Sequence, residues 1–216
     1  MFSHFQYPLV LLLTHRRGVG IFICKNIHSL KSFLANKEKS FIDLNQMKPE
    51  SHENHIYEYL IFNDLFFTRV IGKTAENLFE LYKFSLNKTN LLSNDPKTLI
   101  VGIGPGSFTG LRLGCAFING IKTASPDLQL LPVSTYLTPQ LISLCEKNHC
   151  KEECLKQLGE YELEDESTGH VTFFDLLACL FKVTEEKRNY VNSLMPEYGK
   201  EPGPVLKLRE GNSNEQ

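Results

Sequence analysis

Short apolar runs with strand-like composition open the chain and recur before its midpoint. Leu9 to Thr14 and Val19 to Cys24 are rich in aliphatic residues and predict two strands. Ile56 to Phe62 and Leu65 to Ile71 are β-branched and aromatic, and they flank Asn63-Asp64, a pair that favours tight turns. These two runs therefore predict a β-hairpin.

Helical spacing of apolar residues follows the hairpin. Residues 74–87 have this spacing behind Thr74, a suitable N-cap. Thr98 to Ile103 predicts a buried strand, residues 107–124 predict a second helix, and Leu128 to Val133 predicts a further strand. Strands followed by helix–strand–helix–strand predict an α/β lobe, in which helices pack against a mixed sheet.

Composition narrows the class of protein. The net charge of −2 gives no overall attraction to phosphate backbones and disfavours a free-standing nucleic-acid binder. The longest aliphatic run, Leu9 to Leu13, is far shorter than the roughly 20 residues of a membrane-spanning helix. Six cysteines at irregular spacing in a chain of this size are typical of reduced thiols. We expect a cytoplasmic protein without a membrane segment.

The segment from Gly104 to Arg112 is the most informative part of the sequence. It leads from a buried strand through a glycine-rich turn to the start of a helix, where backbone N–H groups and the helix dipole favour anions. One interpretation is a phosphate cradle, and the other is a tight turn that needs glycine for its backbone angles. A P-loop is excluded because Leu111 and Arg112 follow Gly110 in place of Lys and Ser or Thr. The candidate phosphate-contacting residues are Gly104, Gly106, Ser107, Thr109, Gly110 and Arg112.

The same residues resemble a family signature. The run from Gly104 to Arg112, followed by Gly114 and by Asn119-Gly120-Ile121, is similar to the signature of the bacterial TsaB (YeaZ) proteins. Pro132-Val133-Ser134 and Pro196-Glu197-Tyr198 resemble further segments of that family.

This resemblance is good over residues 56–140 and weaker over 172–200, and it implies both a fold and a function. TsaB proteins belong to the actin-like, ribonuclease-H-like ATPase superfamily, so an actin-like first lobe is expected. They are non-catalytic scaffolds for the threonylcarbamoylation of adenosine next to the anticodon, in tRNAs that read codons beginning with A. The chain is therefore expected not to be an enzyme by itself.

The resemblance also implies partners and a cofactor. The expected partners are a TsaD-type transferase in a heterodimer, a TsaE-type ATPase and a second copy of this chain in a homodimer. Contact with tRNA is expected only through the complex. No cofactor is expected on the chain alone, whereas ATP or ADP is implied at the partner interface.

Two features depart from the family pattern. The family's first strand ends in a phosphate motif with an Asp; Leu9 to Thr14 has none, whereas Phe41 to Asn45 contains Asp43 and lies closer to the hairpin. The second segment is favoured as the first strand. The stretch from Ser134 to an amphipathic helix predicted at 172–183 is also too short and too charged for the family's full second lobe. The predicted organisation is an N-terminal extension at 1–37, a first lobe at 38–140, a reduced helical second lobe at 141–200 and a loose tail at 201–216.

Glycines on helix 107–124 suggest a binding surface. Gly110 and Gly114 are four residues apart and share a helix face on which another helix can approach closely. That approach is made either by helix 74–87 of the same chain or by a partner, and the resemblance favours the partner. Gly114→Leu is then expected to weaken partner binding more than the fold. The predicted partner-binding residues are Ala75, Leu78, Phe79, Tyr82, Gly110, Gly114, Phe117 and Ile121.

Other candidate chemistry has weaker support. Cys145, His149, Cys150 and Cys154 lack the close ligand pairs of structural zinc sites, so no metal site is predicted. Ser107 lacks the glycine two residues before it that a nucleophile elbow has, and no catalytic residue is assigned. The rival function is an ATPase or phosphotransferase of the actin-like superfamily that uses the loop from Gly104 to Arg112.

Overall fold

The computed structural model describes residues 5–14, 18–35, 48–52, 55–71, 74–104, 108–134 and 189–198. Together these residues form one seven-stranded sheet with three helices. The strands are β1 (Leu9–Leu13), β2 (Gly18–Cys24), β3 (Lys48–His52), β4 (His55–Phe62), β5 (Leu65–Ile71), β6 (Thr98–Gly104) and β7 (Gln129–Ser134). The helices are α1 (Ile27–Ala35), α2 (Thr74–Lys88) and α3 (Phe108–Ala124).

The sheet is mixed, with the strand order β3-β4-β5-β2-β1-β6-β7. β1 pairs antiparallel with β2, where Leu11 lies opposite Phe22, and parallel with β6, where Leu11 lies opposite Ile100. β7 pairs parallel with β6, and the remaining neighbours pair antiparallel. The predicted α/β lobe with a mixed sheet and flanking helices is confirmed.

The position of β1 corrects the prediction for the start of the chain. Leu9–Leu13 lies between β2 and β6, and all five of its side chains are fully buried. Residues 9–14 and 18–35 are therefore part of the lobe and not an N-terminal extension. A strand that is buried on both faces of a sheet needs aliphatic residues at every position. This aliphatic run, and not a following Asp, therefore marks the central strand. The favoured alternative, Phe41 to Asn45, lies outside the described residues.

α2 and α3 cover one face of the sheet, and α1 also packs on β2. α2 packs on β2 and β5, and α3 packs on β6 and on α2. Leu81 and Ile118 are fully buried in the resulting core, together with Ile21 and Val101 of the sheet. α2 ends where Asn90 adopts a positive φ of 53°, which lets the Leu91 N–H donate to the Leu86 carbonyl at 2.9 Å.

Two elements, α1 and β3, were missed from the sequence. β3 lies in a polar stretch, whereas α1 has Ile27, Leu30 and Leu34 at helical spacing, a signal that was overlooked. α1 begins after Asn26, whose side-chain oxygen accepts a hydrogen bond from the Ser29 N–H at 2.9 Å, an N-cap contact. β3 forms the outer edge of the sheet, where Pro49 blunts further pairing. The Nζ atom of Lys88 lies 2.6 Å from a carboxylate oxygen of Glu50 and links β3 to α2.

The second half of the chain is described only at residues 189–198. The described residues leave out 141–188 and 199–200 of the predicted second lobe at 141–200, and all of the predicted tail at 201–216. These parts stay predictions, as do the helix at 172–183 and the absence of a metal site at cysteines 145–154. Residues 189–198, which the prediction assigned to the second lobe, instead pack on β7 and α3. None of the described helices is long and apolar enough to span a membrane.

Candidate functional site

The order of the strands creates a crevice between β1 and β6. From β1 the chain turns to β2 on one side, whereas from β6 it passes through α3 to β7 on the other side. Ligands of open α/β sheets bind at such a reversal, outside the carboxyl ends of the strands. The described residues at these two ends are Thr14 and Gly104.

The glycine-rich turn lies at this crevice. β6 ends at Gly104 and α3 begins at Phe108, while Pro105, Gly106 and Ser107 lie outside the described residues. Two of the predicted phosphate-contacting residues, Gly106 and Ser107, are therefore not placed.

The other predicted phosphate-contacting residues have different exposures. The side chains of Thr109 and Arg112 are exposed, and Gly110 is buried. The structure thus brings Gly104, Thr109 and Arg112 to the carboxyl end of β6, and it turns Gly110 away from solvent.

A glycine is required at position 104 for two reasons: the backbone conformation there and the close approach of another segment of the chain. Its φ is 131°, a value that residues with a side chain rarely adopt. A Cβ atom built on Gly104 would overlap the backbone carbonyl oxygen of Glu197. The Glu197 N–H also donates to the Ile103 carbonyl at 2.6 Å. The space beside Gly104 is therefore filled by the backbone of a distant segment.

That segment, residues 189–198, is called the strap below. The Val191 N–H donates to the Leu130 carbonyl of β7 at 3.0 Å. The side chain of Asn119 makes two hydrogen bonds with the backbone of Leu194: its Nδ2 donates to the Leu194 carbonyl at 3.1 Å, and its Oδ1 accepts from the Leu194 N–H at 2.7 Å. Since the Leu194 side chain is buried as well, the strap is an integral part of the lobe.

An aromatic stack holds the end of the strap. The Tyr198 ring stacks on the Phe108 ring with centroids 4.7 Å apart and planes 27° apart. The Arg112 guanidinium lies 5.1 Å from the centroid of the Phe108 ring, a cation–π contact. Arg112, a predicted phosphate contact, is thus held beside the first turn of α3 by packing within the chain.

The glycines of α3 correct the predicted partner surface. The Thr14 hydroxyl donates to the Gly110 carbonyl at 2.9 Å, and a Cβ atom on Gly114 would lie 3.1 Å from the Thr14 Cγ2 atom and closer still to its Oγ1 atom. Gly110 and Gly114 are buried against the end of β1 and do not face a partner. The outward-facing glycine is Gly120, since a Cβ atom there would meet nothing within 4 Å.

The other predicted partner residues cluster between α2 and α3. Phe79, Tyr82, Phe117 and Ile121 line one groove with a volume of about 350 Å³. The Phe117 ring contacts Phe79 and Tyr82 edge-on, at centroid distances of 6.3 and 5.4 Å. Leu78 is buried in the core instead. Ala75 belongs to α2, but its side chain is outside what the structure describes.

Sequence reasoning missed the floor and rim of this groove. Leu86 of α2 and Leu91, Leu92 and Ser93, which follow the helix, also line it. Leu92 is 69% exposed, a large fraction for a leucine. The signal in the sequence was the Leu91-Leu92 pair directly after the helix stop at Asn90.

The groove is apolar. Lys83 is the one charged residue among its described lining residues. Burial raises the pKa of the Tyr82 hydroxyl to about 12, and that hydroxyl has no hydrogen-bond partner among the described residues. The groove therefore fits an apolar partner surface better than a charged small molecule.

Covalent and metal chemistry have no support among the described residues. Burial raises the pKa of the Cys115 thiol to about 11 and that of the Cys24 thiol to about 12, so both thiols stay neutral near pH 7 and are poor nucleophiles. No group of three or more metal-ligating side chains occurs in the described part of the chain. The two positions at the crevice, Thr14 and Gly104, carry no carboxylate for a magnesium ion.

Comparisons with known proteins give a family-model match and matches to solved structures. Residues 71–146 match the family model of TsaD, tRNA N6-adenosine threonylcarbamoyltransferase. No curated protein matches the chain. A solved structure of YeaZ from Pseudomonas aeruginosa is 17% identical, with a TM-score of 0.38, and the match covers 65% of this chain and 48% of that one. A second structure, of an uncharacterized protein from Pseudomonas aeruginosa with similarity to peptidase YEAZ, matches with the same figures.

The chain thus spans about half the length of the solved structures it matches. The family model covers α2, β6, α3 and β7, the elements that form both the glycine-rich turn and the groove. This family-model match over residues 71–146 agrees with the resemblance that the sequence indicates.

Proposed function

We propose that this chain is a non-catalytic partner subunit in the threonylcarbamoylation of tRNA, and that it binds a TsaD-type transferase through α2 and α3. The observation that carries the proposal is the exposed apolar groove between these helices, which lies within the segment that matches the TsaD family model. The modified base is adenosine next to the anticodon, in tRNAs that read codons beginning with A.

The groove has the features of a protein interface. Phe79 is 58% exposed, although its ring packs against Phe117 and is held at a defined orientation. Exposed apolar surface of this kind commonly marks a binding site, and aromatic residues in a preformed pocket dominate binding energy. Outward-facing Gly120 on the neighbouring face of α3 adds a place where a partner helix can approach closely.

The chain's part in the reaction is to hold the transferase in a productive assembly. Thr14 and Gly104, the described residues at the ends of β1 and β6, carry no carboxylate, and this supports placing the chemistry on the transferase. A TsaE-type ATPase joins the pair, ATP or ADP binds at the interface, and tRNA meets the chain only through the complex. A homodimer would use the same α2/α3 face and would therefore compete with the transferase.

Replacing the exposed phenylalanine tests this surface. Phe79→Asp is expected to lower the affinity for the TsaD-type transferase of the same genome by about 30-fold or more, equivalent to about 2 kcal/mol, because it places a charge in an apolar interface. The unfolding free energy should change little, since the side chain is largely exposed. Binding is measured by titration calorimetry and stability by chemical denaturation of the same preparation.

Ile56 provides a matched control. It is 63% exposed, but it lies on β4 next to the edge strand and not on the α2/α3 face. Ile56→Asp should therefore leave transferase binding unchanged. Equal losses of affinity in the two variants, or no loss in Phe79→Asp, would contradict the assignment of the interface.

The alternative is an ATPase or phosphotransferase that uses the Gly104–Arg112 loop. Such an enzyme needs a carboxylate for magnesium at the carboxyl ends of the central strands. The Thr14 hydroxyl at the end of β1 is instead bonded to the Gly110 carbonyl. This arrangement supports the subunit over the enzyme.

A further inference from the structure

A lysine lies beside the exposed aromatic residue of the groove between α2 and α3. Lys83 is exposed and lines the groove, and it follows Phe79 by four residues on α2, so the two side chains share a helix face. Glu80, three residues before Lys83, does not line the groove and makes no ion pair with it. A partner that covers Phe79 therefore also covers the Lys83 side chain.

Lys83 differs from the other lysines of α2 and α3 in what its ammonium group contacts. The Lys88 Nζ atom lies 2.6 Å from a carboxylate oxygen of Glu50. The Lys122 Nζ atom donates to the Leu128 carbonyl at 2.7 Å. Within the described part of the chain, Lys83 has neither an ion pair nor a hydrogen bond of its side chain. The fold thus uses the charges of the other two lysines and leaves that of Lys83 to solvent.

Covering the Lys83 ammonium group is unfavourable unless an opposite charge meets it there. None of the described residues that line the groove has a carboxylate. The aliphatic stem of a lysine lies along apolar surface while its ammonium group reaches outward, so the compensating charge is needed at the rim of the groove. That charge has to come from the partner.

We propose that the partner which covers the groove presents a carboxylate beside its apolar surface, and that the ion pair of this carboxylate with Lys83 determines which surface the groove accepts. The inference rests on the proposed function, because it takes the occupant of the groove to be the transferase. Apolar contact alone accepts many hydrophobic surfaces, whereas a charge pair at a fixed place selects one partner and one orientation. Phe79 supplies the apolar contact, and Lys83 is the specificity-determining residue.

Substitutions of Lys83 test the pair in the full chain with the TsaD-type transferase of the same genome. Lys83→Met keeps an apolar stem and removes the charge, and Lys83→Glu reverses the charge. The matched control is Lys31→Glu, since Lys31 is also exposed but lies on α1, which does not line the groove. Affinity is measured by titration calorimetry at about 0.05 and 0.5 M NaCl, because salt screens an exposed ion pair. Chemical denaturation checks that each variant is folded.

The expected losses of affinity are graded. Lys83→Glu should bind the transferase about tenfold more weakly or worse and Lys83→Met about threefold more weakly, while Lys31→Glu should bind as the wild type does. Raising the salt concentration should weaken the wild type more than Lys83→Met, because only the wild type has the pair to screen.

A charge exchange on the partner completes the test. Each Asp and Glu on the surface of the transferase is replaced by Lys in turn. One replacement should restore about tenfold of affinity toward Lys83→Glu and weaken binding to the wild type. If no replacement does so, or if Lys83→Glu binds like the wild type while Phe79→Asp does not bind, the pair is overturned and the proposed interface stands. Unchanged affinity in both Phe79→Asp and Lys83→Glu would overturn the interface and the pair together.

Discussion

Gly114→Leu is expected to lower the free energy of unfolding by about 3 kcal/mol. Gly114 lies against Thr14, and a Cβ atom there would overlap the Thr14 side chain, which is buried and short and has no room to move. The same clash would break the bond from the Thr14 hydroxyl to the Gly110 carbonyl, and a lost buried hydrogen bond costs about 1 kcal/mol. The gain in helix propensity over glycine, below about 1 kcal/mol, does not offset these losses.

Gly120 is the matched control on the same helix. Gly120→Leu adds the same side chain where nothing lies within 4 Å of the Cβ atom, so it should raise stability by about 0.5–1 kcal/mol through helix propensity. Chemical denaturation of both variants measures the difference, and each kcal/mol corresponds to about 2–4 °C in Tm at this size. Thr14→Ala should relieve part of the loss in a Gly114→Ala background, because it removes Oγ1 and Cγ2, the two nearest of the three Thr14 side-chain atoms that the new Cβ meets. Equal effects at the two glycines would contradict the buried contact.

This result would reverse the expectation drawn from the sequence. Gly110 and Gly114 were predicted to face a partner, in which case Gly114→Leu would spare the fold and weaken only the complex. An unchanged unfolding free energy together with a weakened complex would restore that earlier interpretation.

Gly104→Ala is expected to lower stability by about 2–4 kcal/mol. Its φ of 131° costs a residue with a side chain about 1–3 kcal/mol in backbone strain, and the new methyl group would overlap the Glu197 carbonyl. Because the strap is the segment that can move away from the new methyl group, the loss of stability should be concentrated in the strap. Hydrogen exchange at 189–198 should rise more than exchange at the core of β6. Uniform destabilisation of sheet and strap, or an unaffected strap, would show that Glu197 does not pack against Gly104 as described.

The sequence alone was sufficient to predict those strands and helices whose apolar pattern results from burial. β1 and β2 are continuous aliphatic runs because both faces of the central sheet are covered, and α2 and α3 have apolar residues at helical spacing because one side of each packs on that sheet. α1 has a signal of the same kind, with Ile27, Leu30 and Leu34 at helical spacing, and it was overlooked. β3 could not be found in this way, because it has no apolar pattern of its own and is fixed by contacts with distant residues, such as Glu50 with Lys88.

The candidate site could be predicted only in part, for a related reason. Helical spacing shows that Gly110 and Gly114 share a face, but it does not say what fills that face. The answer is Thr14, 96 residues before Gly110 in the chain. The strap depends equally on long-range contacts, since Asn119 and Leu194 are 75 residues apart. Phe79, Tyr82, Phe117 and Ile121 line one groove because the spacing within each helix brings them together once α2 and α3 are adjacent. Their predicted role in partner binding stays a prediction.

The central claim, that this chain serves tRNA threonylcarbamoylation as a subunit, is tested most directly by mass spectrometry of tRNA nucleosides from a strain depleted of the protein. The account predicts that threonylcarbamoyladenosine falls on depletion. It should be restored by the wild type and by Ile56→Asp but not by Phe79→Asp, and the purified chain alone should modify no tRNA. An unchanged level of threonylcarbamoyladenosine after depletion would contradict the account.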